Sequence, residues 1–70
     1  MVEVITVEPL AEGWAVRHSS VENPQVFTSG ARAEEAARSL GARLSQAGAA
    51  SEIRVILRDG TLAARFACSP

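Results

Sequence analysis

An Asp-Gly pair, Asp59-Gly60, stands between two strand-like runs, SEIRVILR at 51–58 and TLAARFAC at 61–68. Between such runs it is the strongest short-range hairpin signal, because the tight turn that joins twisted strands needs residues that tolerate positive φ. A two-residue turn also fixes register. It sets Arg58 opposite Thr61, Leu57 opposite Leu62, Val55 opposite Ala64 and Ile53 opposite Phe66. Directly opposed residues share a face, so one face reads Ile53, Val55, Leu57, Leu62, Ala64, Phe66 and Cys68, all apolar. The other reads Glu52, Arg54, Ile56, Arg58, Thr61, Ala63, Arg65 and Ala67. Turn chemistry and hydrophobic alternation are separate signals, and they agree.

The first half of the chain supplies a second pair of strands. Residues 2–8 (VEVITVE) are rich in β-branched side chains and read as a strand that Pro9 closes, since proline has no N–H for a ladder. Residues 9–13 then form a loop, and residues 14–19 alternate as a second strand with Trp14, Val16 and His18 on one face and Ala15, Arg17 and Ser19 on the other. Residues 20–24 carry turn chemistry, and Gln25-Val26-Phe27 is a short extended piece. A helix is expected from Ala31 to about Ala47, with the hydroxyl of Thr28 or Ser29 as its N-cap and Gly48 as its left-handed stop. Its apolar stripe is Ala33, Ala36, Ala37, Leu40, Leu44 and Ala47, mostly alanine, so the helix must approach the sheet closely. Close approach also accounts for Gly41 inside it. The expected fold is one α+β domain over residues 1–70, a two-layer sandwich of β-β-α-β-β order. Its sheet would be mainly antiparallel and four-stranded, covered on one face by the helix, with strand order left open.

At 70 residues with 47% hydrophobic and only 4% aromatic composition, the chain can build only a small core, which favours a partner subunit. The net charge of -1 excludes a globally basic nucleic-acid binder or a polybasic membrane anchor. No apolar run approaches the roughly 18 residues of a membrane span, and the opening residues carry no signal-peptide pattern. Cys68 is the only cysteine, which excludes an internal disulfide and fits a reducing cytoplasm.

The ordered elements Val4-Ile5-Thr6-Val7-Glu8-Pro9, Gly13-Trp14-Ala15-Val16-Arg17, Ala33-Glu34-Glu35-Ala36-Ala37-Arg38 and Arg58-Asp59-Gly60-Thr61-Leu62 span nearly the whole chain. Together they resemble a family of short, mostly bacterial domains of unknown function that share a Gly-Trp-Ala-Val strand, an alanine-rich helix and an Arg-Asp-Gly hairpin. The resemblance implies a fold and a bacterial setting, and it brings no catalytic residue or ligand.

Catalysis requires convergent groups. His18 is the only histidine and Asp59 the only aspartate, the latter already explained by the turn. His18 with Cys68 would be the one base–nucleophile pair, but no third group orients it, so no catalytic, cofactor or metal residue is assigned. The candidate interaction face is the outer face of the sheet, carrying Arg17, Arg54, Ile56, Arg58 and Arg65. Arg54 and Arg65 stand directly opposite each other, a like-charge arrangement that breaks a local rule and can mark a site, while Glu52, diagonal to Arg65, partly neutralises the pair. Arginine among apolar residues suits a protein contact, with a second copy of the chain or another protein as partner. The unguarded strand at 2–7 offers an edge for such pairing. The alternative is weak nucleic-acid binding through the arginines. That alternative lacks the aromatic stacking platforms of single-strand binders, because Trp14 and Phe66 point inward.

Overall fold

The computed structural model describes residues 2–70. The fold is α+β: strands β1 (Glu3–Leu10), β2 (Gly13–His18) and β3 (Gln25–Phe27), helix α1 (Gly30–Gln46), then β4 (Ser51–Ile56) and β5 (Leu62–Cys68). The expected strand count of four is corrected to five, and the sheet is mixed, antiparallel in three of its four pairings. The strands form one five-stranded sheet in the order β3-β2-β1-β4-β5. β1 and β4 pair in parallel at its centre, Ile5 beside Ile53 and Val7 beside Val55, while the other neighbours are antiparallel. The parallel pair arises because α1 returns the chain to the middle of the sheet, beside β1, rather than to an edge. The fifth strand is the short piece Gln25-Val26-Phe27, which pairs with β2 through Trp14↔Phe27.

Pro9 does not close β1. The strand runs through it to Leu10, and a tight turn at Ala11-Glu12 returns the chain with Leu10 opposite Gly13. The reason lies in which side of β1 each residue bonds. The Val4 carbonyl accepts from Ser19 on the β2 side, whereas the Glu3 N–H donates to Ala50 on the β4 side. By that alternation the missing N–H of Pro9 faces β4, and pairing with β4 has already ended at Val7.

Residues opposed across the strands place Ile5, Val7, Val16 and Ile53 on the helix side, where they form the core with Ala33 and Ala37 of α1. Ile5, Val7 and Ile53 are the largest fully buried side chains. Each contributes about 1.5–3 kcal/mol by leaving water. The helix sits close because its buried surface is Ala33, Ala37 and Gly41. A Cβ on Gly41 would lie 3.0 Å from Cys68 Sγ and 3.4 Å from Ile53 Cδ1. Trp14, Phe27, Leu40, Leu44 and Phe66 pack around this centre.

The helix ends behave as the sequence indicates. Ser29 is the N-cap, its hydroxyl accepting from the Arg32 N–H. At the other end Gly48 has φ +86, and the N–H groups of Gly48 and Ala49 donate to Ser45 and Leu44 carbonyls at 3.0 and 2.8 Å, closing a Schellman motif. Glu34 and Arg38 form an ion pair one turn apart on the helix surface, at 3.0 Å.

Candidate functional site: the uncovered sheet face

The β4–β5 hairpin forms the expected apolar and arginine-bearing faces through most of its length, but its turn differs. Ile53 faces Phe66, Val55 faces Ala64 and Arg54 faces Arg65, as expected. Leu57 donates to Thr61 and accepts from Gly60, both at 2.9 Å, so the loop is the three residues Arg58, Asp59 and Gly60. Gly60 supplies the left-handed position at φ +87, the type I turn with a glycine bulge. Asp59 stabilises the reversal by accepting from the Thr61 hydroxyl at 2.6 Å and the Thr61 N–H at 2.9 Å, which holds its carboxyl below the usual range. One residue of slip is absorbed by an irregularity between Val55 and Ile56, so Ile56 stands opposite Leu62. Leu57 and Leu62, expected inside, are 45% and 48% exposed.

This turn removes Arg58 from the expected cluster. Arg58 occupies the first central position of the loop, not a strand, and its guanidinium donates to the Leu10 carbonyl at 2.9 Å. It also lies 5.7 Å from the centroid of a Trp14 ring, on the helix side. Arg58 therefore clamps the tips of the two hairpins together.

The remaining candidates, Arg17, Arg54, Ile56 and Arg65, do share the face away from α1. Glu52 stands between the two opposed arginines, with Oε2 3.1 Å from Arg54 and Oε1 3.1 Å from Arg65. Like charges placed opposite each other cost roughly 0.2–1 kcal/mol. An exposed ion pair returns about 0–1 kcal/mol, so the carboxylate offsets the repulsion without turning the cluster into a source of stability. Arg17 pairs with Glu8 on the same face. Three arginines thus share two carboxylates. Thr6 and Val4 lie between the two clusters by register, and Ala15, flanked by Glu8 and Arg17, is fully buried.

A shallow cleft of about 270 Å³ opens where the loop at 19–24 meets this face, bounded by Val4, Thr6, Arg17 and Val21. Arg17, the arginine that lines it, already engages Glu8. At the same end of the sheet, Glu3 accepts from the Ser20 hydroxyl and lies 2.8 Å from His18 Nε2. The Ser20 hydrogen bond lowers the Glu3 carboxyl, partial burial opposes this, and His18 adds to the lowering.

His18 and Cys68 are not brought together. β1 and β4 lie between their strands, and three strand spacings amount to about 14 Å. His18 is committed to Glu3, and Cys68 packs against Gly41. Among the described residues no group of three or more His, Cys, Asp or Glu is placed to hold a metal ion, and no helix is long and apolar enough to cross a membrane. The strand at 2–7, expected as an open edge, is instead the core of β1 at the sheet's centre. Glu8 is the one participant that sequence reasoning missed. Its signal was the diagonal to Arg17, which becomes readable only once Ala11-Glu12 is recognised as the turn. Comparison with family models, with curated proteins and with solved structures finds no match.

Proposed function

We propose that this is a small non-enzymatic bacterial protein of the cytoplasm that works by protein contact, associating with itself or with another protein through its sheet. The observation that carries this reading is the pairing of Arg54 and Arg65 on Glu52 and of Arg17 on Glu8. An anion-binding platform needs cations free to meet phosphate, and these are already engaged. What remains around them is apolar and exposed, including Leu62 and, at the β3 end, Val26 at 62% exposure. Arginine held in place among apolar side chains is the composition of a protein interface. The bacterial setting follows from the family resemblance, and the single cysteine suits a reducing compartment.

Nucleic-acid binding is the second reading, supported by the excess of one arginine over the carboxylates on this face. Trp14 and Phe66 weigh against it, since both pack on the helix side. Titration of labelled single- and double-stranded oligonucleotides at low and high salt, beside sedimentation velocity of the protein alone, separates the two. The expected result is association of the protein and no salt-sensitive oligonucleotide binding. Oligonucleotide binding that disappears in Arg54→Ala/Arg65→Ala, with a protein that stays monomeric, reverses the order of the two readings.

A further inference from the structure

The sheet ends on two unequal edges. β3 offers three residues, whereas β5 offers seven, with no proline and Arg65 as its single charge. Natural edges are usually guarded by proline, lysine, an inward-pointing charge or a bulge, and the one irregularity here lies at the hairpin end, between Leu62 and Ala64, which leaves residues 64–68 regular. Here the one charge is held by Glu52, so it does not repel an approaching strand.

The ladder shows which groups the edge presents. The Glu3 N–H bonds Ala50, so even-numbered residues of β4 turn their backbone groups toward β1. Ser51, Ile53 and Val55 therefore turn theirs toward β5, satisfying Cys68, Phe66 and Ala64, their partners in register. The N–H and C=O groups of Arg65 and Ala67 are left facing outward, with no strand among the described residues beside them.

We infer that β5 pairs antiparallel with β5 of a second copy of this chain, about a two-fold axis at Phe66, joining two sheets into one. This rests on the reading that the protein acts by protein contact, and it names the partner and the surface. The register follows from side-chain size and charge. Centred on Phe66, Arg65 exchanges backbone hydrogen bonds with the second copy's Ala67, setting a long side chain beside a methyl group. Ala64 stands opposite the second copy's Cys68, both small, and the two Phe66 rings meet at a closely spaced pair. Arg38 already lies over the Phe66 ring, 4.5 Å from its centroid, and would cap each ring from the helix side. A register centred on Arg65 would instead oppose two arginines, which is destabilising. The interface is isologous, so it closes at a dimer.

Ala67→Pro is the discriminating variant. It deletes an N–H that faces away from β4, so the β4–β5 ladder keeps all its bonds, while the proposed seam loses its donor. The expected result is a monomer–dimer equilibrium for the wild type in sedimentation velocity and loss of the dimer in Ala67→Pro with an unchanged circular dichroism spectrum. Amide exchange of the wild type supplies a second readout, with the Arg65 and Ala67 N–H groups slowing as concentration rises. A folded Ala67→Pro protein that dimerises as well as the wild type overturns the edge proposal while leaving association by another surface intact. So does a wild-type dimer in which those two amides exchange at a concentration-independent rate, which also decides the matter if Ala67→Pro fails to fold. A wild type that is monomeric throughout overturns the proposal and leaves the reading beneath it resting on contact with a different protein.

Discussion

Gly41 is a point where sequence and core packing meet closely. Replacing a helical glycine by alanine gains about 1 kcal/mol from backbone entropy. Here the new methyl would press on Cys68 Sγ at 3.0 Å, and overpacking a buried site costs about 1–3 kcal/mol. Gly41→Ala is therefore expected to lower stability in urea denaturation. In Gly41→Ala/Cys68→Ala, where the sulfur is gone, the glycine substitution should cost less than it does alone. Additive effects of the two changes would show that the contact is not the cause. Two carboxylates give the pH dependence. Glu3 and Asp59 are both held below the usual range by hydrogen bonds, from Ser20 and from Thr61. A folded value below the unfolded one stabilises the protein above the ordinary carboxylate range and loses that contribution as pH falls through it. Stability should thus be steady down to about pH 5 and decline below about pH 4. Ser20→Ala should shrink that decline, as followed by urea midpoints across the pH series.

Among the elements, the helix was legible nearly residue by residue, because capping and the Gly48 stop are local chemistry. Ser29→Ala should cost about 0.5–2 kcal/mol, toward the lower end given the 3.4 Å cap contact. No change in the urea midpoint would mean that water replaces the hydroxyl fully. The β4–β5 hairpin was legible in its body and misread at its tip. Asp-Gly marks a reversal in both turn types, and only the Leu57–Thr61 pairing distinguishes a three-residue loop from a two-residue one. That one-residue difference moved Arg58 off the sheet and set Leu62 beside Ile56 on the uncovered face, with Leu57 exposed next to the loop. Pro9 misled for a related reason. A proline forbids a bond on one side of a strand only, and the sequence does not say which side is occupied. Gly60→Ala would force a side chain into the left-handed region at φ +87, at roughly 1–2 kcal/mol, and should lower the thermal midpoint.

At the scale of the molecule, strand order was the part the sequence could not supply. Periodicity assigns a face to each strand but says nothing of neighbours, and the passage from β3 through α1 to β4 could have ended at either edge or in the middle. Placing β4 beside β1 buried the strand that looked most exposed and left β5 as the long edge. The arginine cluster itself was half legible: Glu52 between Arg54 and Arg65 follows from the hairpin register, whereas Glu8 with Arg17 needed the first turn. The proposed function is protein contact through the sheet, and the partner inferred for it is a second copy of the chain. Small-angle scattering of the purified chain over a broad micromolar concentration series tests this most directly. The scattering mass is expected to double and the radius of gyration to climb well above the 11.4 Å of one chain as concentration rises. A mass and radius that stay at the values of a single chain throughout would contradict that inference.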